Sequence, residues 1–245
     1  MTAAAFSPDG ATLATADETE VVRLWDAATG RQRALTLFHR HNRIEWLAFS
    51  PDGRRLYSLD DAGLYAWDAA TANEVFRPVG FHWPTCAAVS PDGMRLATGD
   101  STPDGSNVVC IWDAPTGRLL ATTPPHWGRV TAVTFSHDGR SLASACDGYV
   151  RVFDAATAVP RTKSLGFGVS HKVALALSPD DRRLFGGGDG VDNAVWDAAT
   201  GKEILRLAGC DSFTSAAFSP DGQTLATGGS RYPHLEWVLL WNLKD

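Results

Sequence analysis

The side chains of this chain that could perform catalysis or bind a metal are its histidines and carboxylates, together with one run of glycines. His39 and His41 lie two residues apart, so an extended segment would place both imidazoles on one side, as a metal site requires. No third ligand accompanies them at a spacing typical of metal sites. The run Gly186-Gly187-Gly188 opens no helical pattern, so we interpret it as a loop or bulge and not as a phosphate-binding loop. We therefore predict no metal and no cofactor.

Many of the carboxylates lie in recurring turns, where Asp has a structural role in the backbone, and six of them lie in one such turn. The turn reads Ser-Pro-Asp-Gly or a close variant, and its six Asp residues are Asp9, Asp52, Asp92, Asp138, Asp180 and Asp221. Asp can hydrogen-bond the turn backbone, and Gly accepts a positive φ without steric cost. The sequence contains no Gly-x-Ser-x-Gly or His-Glu-x-x-His motif. We therefore predict that the protein is not an enzyme.

A second landmark, Trp-Asp or a close variant, follows each turn, so the chain is a sixfold repeat. The Asp of the turn recurs after 43, 40, 46, 42 and 41 residues. The Trp-Asp landmarks begin at Trp25, Trp67, Trp112, Phe153, Trp196 and Trp241. Because a period of this length made of short segments is typical of repeat architectures, we predict a single domain spanning residues 1–245.

The fourth repeat shows how one unit is built. Residues 130–135, 141–145 and 149–153 are short segments rich in apolar and β-branched residues, and turn signals separate them. Residues 161–165 supply a fourth strand. A four-stranded antiparallel sheet is marginal in isolation, but radial stacking of such sheets buries both faces of each. The sequence predicts an all-β fold.

Charge, hydropathy and cysteine usage exclude several classes of partner. The net charge is −6, and no block of Lys and Arg is present to bind phosphates, so we expect no nucleic acid. No stretch approaches 18 apolar residues, so we expect no membrane span. The four cysteines have no Cys-x-x-Cys spacing and are expected to be free thiols in a reducing compartment. These features predict a cytoplasmic protein.

The motif set resembles the WD-repeat β-propeller family, and the resemblance runs from residue 2 to residue 243. It implies a six-bladed β-propeller of four-stranded antiparallel blades, with approximate blade bounds of 1–38, 39–78, 79–123, 124–166, 167–208 and 209–245. After the third strand of blade six nothing remains to form an outer strand. We therefore expect that blade to have three strands or this chain to lack flanking sequence.

The resemblance also implies a hydrogen-bonded network within each blade, formed by a His, a strand Ser or Thr, a hairpin Asp and the Trp. The matching residues are His41 (or His39), Ser58, Asp61 and Trp67 in blade two, His82, Thr98, Asp100 and Trp112 in blade three, His126, Ser144 and Asp147 in blade four, where Phe153 replaces the Trp, and His171 and Trp196 in blade five. These residues are expected to be structural.

Two local departures from the repeat concern the turns that follow Trp-Asp and Ser-Pro-Asp. Ala72 and Ala158 stand where other repeats have Gly, and each costs about 1 kcal/mol if the turn keeps a positive φ. Asp181 replaces the Gly of the fifth Ser-Pro-Asp turn, and Asp tolerates that conformation better than most residues.

Binding residues are expected in the loops that join the fourth strand to the next first strand and the second strand to the third, because both sets emerge on one face. That face is rich in aromatic residues and arginines, which dominate interface hot spots. The candidates are Phe81, Trp83, Trp127, Arg43, Arg129, Arg231 and Tyr232. Trp46 is added because the equivalent positions in the other repeats are small; it shapes the binding face or plugs the channel.

These observations predict a non-catalytic scaffold that binds a protein or peptide on its loop-rich face. Two alternatives remain open. One is a propeller enzyme of hydrolase or lactonase type, with its site at the central channel. The other is a self-assembling module, because the apolar segment Leu235–Trp241 would form an unpaired edge strand, and such edges recruit other strands.

Overall fold

The protein consists of six antiparallel sheets that follow one another along the chain, as seen in a computed structural model. The structure describes residues 2–38, 43–78, 82–102, 104–166, 173–189, 193–207, 212–231 and 235–243. Within these ranges every regular element is a strand and there is no helix. The all-β fold predicted from the sequence is therefore confirmed.

Each sheet is a meander in which sequential strands pair. The first sheet contains β1 (Ala3–Phe6), β2 (Thr12–Ala16), β3 (Val21–Asp26) and β4 (Gln32–Phe38), and the second contains β5 (Trp46–Phe49), β6 (Arg55–Asp60), β7 (Gly63–Asp68) and β8 (Glu74–Phe76). The third contains β9 (His82–Val89), β10 (Arg95–Ser101), β11 (Asn107–Asp113) and β12 (Leu119–Thr122), and the fourth contains β13 (Val130–Phe135), β14 (Ser141–Cys146), β15 (Tyr149–Asp154) and β16 (Leu165–Gly166). The fifth contains β17 (Val173–Leu177), β18 (Arg183–Gly188), β19 (Ala194–Asp197) and β20 (Glu203–Arg206), and the sixth contains β21 (Ser212–Phe218), β22 (Thr224–Arg231) and β23 (Leu235–Asn242).

The sixth sheet has three strands, as the sequence predicts, whereas the other five have four. Its last strand, β23, pairs with β22 over its whole length, from Leu235 opposite Arg231 to Asn242 opposite Thr224. One interpretation of the glycine run was wrong. Gly186, Gly187 and Gly188 form the end of β18 and pair with β17 in regular register, so they are neither a loop nor a bulge.

The Ser-Pro-Asp-Gly turns are held by the Asp side chain. In all six turns the Ser hydroxyl donates to the carboxylate of the Asp two residues later, at 2.5–2.6 Å. The backbone N–H of the residue two positions after each Asp also donates to that carboxylate, as Ala11 does to Asp9 at 3.0 Å. These hydrogen bonds lower the pKa of Asp9 and Asp52, with the Ser hydroxyl as the largest cause. Asp9 and Asp52 are therefore ionised at neutral pH, and the carboxylate of every turn is held by hydrogen bonds within its own turn.

The three unusual turn residues adopt the conformation expected from the repeat. Ala72, Ala158 and Asp181 have φ values of 60°, 59° and 59°, close to the 67° of Gly30 at the first of these turns. Asp181 also accepts the backbone N–H groups of His137 (2.7 Å) and Asp138 (2.9 Å) in the preceding repeat. The Asp181 carboxylate therefore connects the turn of the fifth repeat to the turn of the fourth repeat.

Successive sheets stack through their innermost strands, which contact one another in the order β1, β5, β9, β13, β17 and β21. Five apolar clusters fill the spaces between sheets one and two, two and three, three and four, four and five, and five and six. In the described part of the chain, no sixth cluster joins the last sheet to the first, and β21 and β1 lack a comparable contact. Among the described residues, apolar clusters therefore join each sheet to the next from the first to the sixth, but none joins the sixth sheet to the first.

Candidate functional site

The Trp of the Trp-Asp landmark ties the third strand of a sheet to its second strand. The indole Nε1 donates to the hydroxyl of a Ser or Thr at 2.7–2.8 Å in four sheets. These pairs are Trp25–Thr15, Trp67–Ser58, Trp112–Thr98 and Trp241–Thr227. Trp196 of the fifth sheet is buried against the cluster between sheets four and five. The tryptophans of this motif therefore stabilise the sheets.

The structure corrects one residue of the predicted network in the second sheet. Asp60, not Asp61, is buried at the end of β6, and its carboxylate accepts the N–H groups of Ala62 (2.8 Å) and Gly63 (3.0 Å). Asp61 is exposed in the turn. The reason is the alternation of the strand: Asp60 lies two residues after Ser58 and shares its face, whereas Asp61 does not.

The third sheet keeps the same arrangement, with Asp100 two residues after Thr98. The Thr98 hydroxyl donates to Asp100 and also accepts from Trp112. Asp100 is 4% exposed, and burial raises its pKa to about 6, although hydrogen bonds from Thr98 and Cys110 partly oppose this shift. His82, the fourth member predicted here, lies at the start of β9 opposite Ser101.

The fourth sheet departs from this arrangement because Cys146 lies two residues after Ser144. The His126 Nε2 atom and the Ser144 hydroxyl form a hydrogen bond of 2.7 Å, but His126 Nδ1 is buried without a partner among the described atoms. Asp147, the predicted partner, lies in the hairpin one residue further on; its carboxylate contacts Gly128, where a Cβ would come within 1.5 Å of Oδ2. Burial lowers the pKa of His126 to about 4, and the Arg151 charge contributes. His126 is therefore neutral at pH 7.

The most exposed aromatic group of the fourth sheet is a cluster of three side chains, which we call the Trp127 platform: Trp127, Tyr149 and Arg151. Trp127 is 71% exposed. The Tyr149 ring contacts it edge-to-face, with centroids 5.1 Å apart and planes at 84°, and the Arg151 guanidinium lies 5.5 Å from the Trp127 centroid. Arg151 is fixed in turn, because it donates to the Pro125 carbonyl (2.9 Å) and to Ser164 (3.1 Å).

The platform combines the two sets of loops that the topology predicts on one face. Trp127 precedes β13, whereas Tyr149 follows the hairpin between β14 and β15. Sequence reasoning selected Trp127 but missed Tyr149 and Arg151. The only signal available for Arg151 was its polar position between Val150 and Val152, which places it on one face of the strand.

The remaining predicted binding residues are not members of the Trp127 platform. Trp83 is 68% exposed at the start of β9 with a φ of 53°, and Arg43 and Arg129 are exposed. Trp46 is half-buried and packs against the cluster between the second and third sheets, and its role in binding stays a prediction. Arg231 ends β22. The predicted residues His39, His41, Phe81, His171 and Tyr232 lie outside the described residues.

The opposite end of the sheets carries two grooves, which are lined mainly by residues of the turns. One, of about 410 Å³, lies between the second and third sheets, and the other, of about 690 Å³, lies between the first and second. Their carboxylates include Asp9, Asp52 and Asp92, which hold the Ser-Pro-Asp-Gly turns. Across the described ranges, no group of three His, Cys, Asp or Glu side chains is placed to bind a metal ion. Those ranges also contain no helix long and apolar enough to cross a membrane.

Radially stacked four-stranded meanders, joined through their inner strands and tied by Trp–Ser and Trp–Thr hydrogen bonds, define a repeat β-propeller of about six blades. The sequence model described as "WD domain, G-beta repeat" matches residues 1–26, 79–113, 117–154 and 201–232, so the chain belongs to the WD-repeat family.

Curated relatives include proteins with several different names. The chain is 31% identical over 193 residues to "Periodic tryptophan protein 2" of Arabidopsis thaliana, and the aligned region covers 74% of this chain and 20% of that protein. It is 30% identical to "Pre-mRNA-processing factor 19 homolog 2" of the same plant (59% and 27% covered) and 25% identical to its "WD repeat-containing protein WDS homolog" (98% and 46% covered). The chain thus spans less than half the length of each of these relatives.

Proposed function

We propose that this protein is a non-catalytic module that binds a protein or peptide through the Trp127 platform. The observation that carries the proposal is the combination of exposure and order at Trp127. The ring is 71% exposed, yet Tyr149 and Arg151 contact it and hold its orientation. Trp, Tyr and Arg are the residues most enriched in interface hot spots.

The fixed geometry of the platform favours binding because little side-chain freedom is lost on association. An immobilised flexible side chain costs roughly 0.5–1.5 kcal/mol at an interface. Arg151 already donates two hydrogen bonds, to the Pro125 carbonyl and to Ser164, so part of this cost is absent. The platform presents a large apolar ring beside a positive charge, which suits a peptide with an apolar or aromatic residue next to an acidic one.

A role without catalysis is supported by the use of the carboxylates. The Asp residues of the repeated turns accept hydrogen bonds from their own turns, and the pKa values of Asp26 and Asp68 are lowered by Thr29 and Thr71, respectively. A general acid at neutral pH needs a raised pKa together with access to substrate. Asp100 has a raised pKa but is 4% exposed within its sheet. The cytoplasmic location and the absence of a nucleic-acid partner stay predictions.

The test is selection of peptides from a displayed random library against the immobilised protein, followed by affinity measurements on the selected peptides. A Trp127→Ala variant should weaken their binding by roughly 30-fold, the effect of losing a hot spot of about 2 kcal/mol. Because the Trp127 side chain is largely exposed, the melting temperature of the Trp127→Ala variant should match that of the wild type.

The matched control is Met94→Ala, which removes an apolar side chain that is 52% exposed at the opposite, turn-rich end. This variant should bind the selected peptides like the wild type. If the peptides bind Trp127→Ala and the wild type equally well, the platform is not the binding site and the proposal fails.

A further inference from the structure

The two ends of the row of sheets each leave uncovered a face of the kind that is buried elsewhere in the protein. We call these the sixth-sheet face, which carries Val238 and Leu240, and the first-sheet face, which carries Phe6, Leu13 and Trp25. Val238 and Leu240 are 70% and 72% exposed, and Phe6 is 62% exposed. Large apolar residues at such exposure, on neighbouring positions of one face, are typical of interaction sites.

The register shows what normally covers the sixth-sheet face. Leu240 pairs with Ala226, and the residues at the same register position in the other five sheets are Leu24, Ala66, Ile111, Val152 and Val195. All five are at most 1% exposed. Each packs in the cluster that joins its own sheet to the next one, so another sheet is what covers this position.

The first-sheet face is the complementary kind. Phe6 pairs with Leu13, and Phe49, Phe135 and Leu177 hold the position of Phe6 in the second, fourth and fifth sheets. These three are 6–9% exposed and pack against the preceding sheet. Leu13 is half-buried, whereas its five equivalents (Leu56, Leu96, Leu142, Leu184 and Leu225) are 0% exposed.

We propose that the sixth-sheet face of one copy stacks on the first-sheet face of a second copy of this chain. The five internal interfaces all join these two kinds of face, so the contact continues an interface that the protein already uses. The contact is head-to-tail, because two different surfaces meet. Such a contact forms a ring if the rotation closes and a helical assembly if it does not. This mode differs from pairing along the β23 edge, which would use backbone hydrogen bonds and not these side chains.

The experiment measures solution mass by sedimentation velocity over roughly 1–100 μM, where contacts of micromolar affinity become visible. The wild-type mass should rise with concentration. Leu240→Lys and Phe6→Lys should each remain monomeric. The decisive sample is their 1:1 mixture: each variant keeps one intact face, so together they should form a dimer of twice the chain mass and nothing larger.

Ile204→Lys is the matched control, because Ile204 is 50% exposed on the outer strand β20, away from both faces, and should associate like the wild type. Val238→Lys gives a second variant of the sixth-sheet face if Leu240→Lys fails to fold. The proposal is overturned by a wild type that stays monomeric throughout. It is equally overturned by variants that associate like the wild type, which would indicate edge pairing, and by a mixture that stays monomeric.

Discussion

Replacing Trp67 with Phe tests whether the tryptophans of the repeat act as buried ties between strands. The Trp67 Nε1 atom donates to the Ser58 hydroxyl at 2.7 Å, and Trp67 and Ser58 are 5% and 0% exposed. Phe has no donor, so Ser58 loses a partner that water cannot replace, at a cost of about 1–3 kcal/mol. The smaller ring also loses packing, at roughly 1 kcal/mol. We expect the free energy of unfolding to fall by about 3 kcal/mol.

The control for this change lies in the first sheet. Trp25 makes the same hydrogen bond, to Thr15 at 2.7 Å, but it is half-buried on the uncovered first-sheet face. Water can replace the lost partner there, so Trp25→Phe should cost less than about 1 kcal/mol. The two variants differ mainly in how deeply the hydrogen bond is buried, because the bond length, the relative position of the two strands and the substitution are the same at both sites.

The assay is thermal unfolding followed by circular dichroism, at protein concentrations low enough to keep the chain monomeric. For a chain of this size about 1 kcal/mol corresponds to roughly 2–4 °C, so Trp67→Phe should lower the melting temperature by about 6–12 °C. Trp25→Phe should lower it by no more than about 4 °C. Equal losses in the two variants, or no loss at Trp67, would refute the argument that burial sets the value of this hydrogen bond.

Two further predictions concern buried charge and turn strain. Asp100 has a pKa of about 6 in the fold, above its ordinary value, so the folded protein takes up a proton there and becomes more stable as the pH falls through 6. His126 has a pKa of about 4 in the fold, so the unfolded chain takes up that proton first and the fold becomes less stable below pH 6.5. Asp100→Asn removes the stabilisation that Asp100 gains at low pH. Between pH 7 and pH 5 the free energy of unfolding of this variant, measured by urea titration, should therefore fall by about 1 kcal/mol more than that of the wild type; an unchanged pH dependence would contradict this. Ala72→Gly relieves a φ of 60° and should raise the free energy of unfolding, measured by urea titration, by up to about 1 kcal/mol. Ala158→Gly, at a φ of 59° but only 2% exposed, should gain less because it loses the packing of the methyl group. Equal gains at the two positions would show that packing is irrelevant there.

The repeat predicted the parts of the fold that depend on local chemistry. A Ser-Pro-Asp-Gly turn carries its own hydrogen bonds, so six copies of the turn predicted six sheets. The repeat also indicated where a positive φ would arise if the turns were kept, because the equivalents of Ala72 and Asp181 in other repeats are Gly, and both residues have a positive φ. These features could be inferred because a turn is formed by residues adjacent in sequence.

The predicted networks were less accurate because they depend on the offset of a single residue. Asp60 and Asp61 are adjacent and chemically identical, and only the alternation of β6 shows that Asp60 is the buried one. In the fourth sheet Cys146 takes that position, and this leaves His126 Nδ1 without a partner among the described atoms. A one-residue shift moves a side chain to the opposite face of a strand, so a motif match alone could not resolve it.

The Trp127 platform and the two open faces could not be predicted from the sequence for a different reason. Arg151 contacts the Trp127 ring across 24 positions of sequence, through a geometry that no spacing rule encodes. Leu240 looks like an ordinary core position, and it is chemically equivalent to Leu24. Its exposure depends on which sheet lies against it, which is a property of the whole arrangement and not of the repeat.

The separation of these two surfaces has a functional consequence. The Trp127 platform lies on the fourth sheet, whereas the open faces lie on the first and sixth, so at least one sheet stands between the platform and either face. Changes at distant sites that share no partners usually add in free energy. Self-association should therefore leave peptide affinity per copy unchanged. It would instead increase the number of platforms on one particle, and a partner with repeated motifs would gain avidity without any new contact.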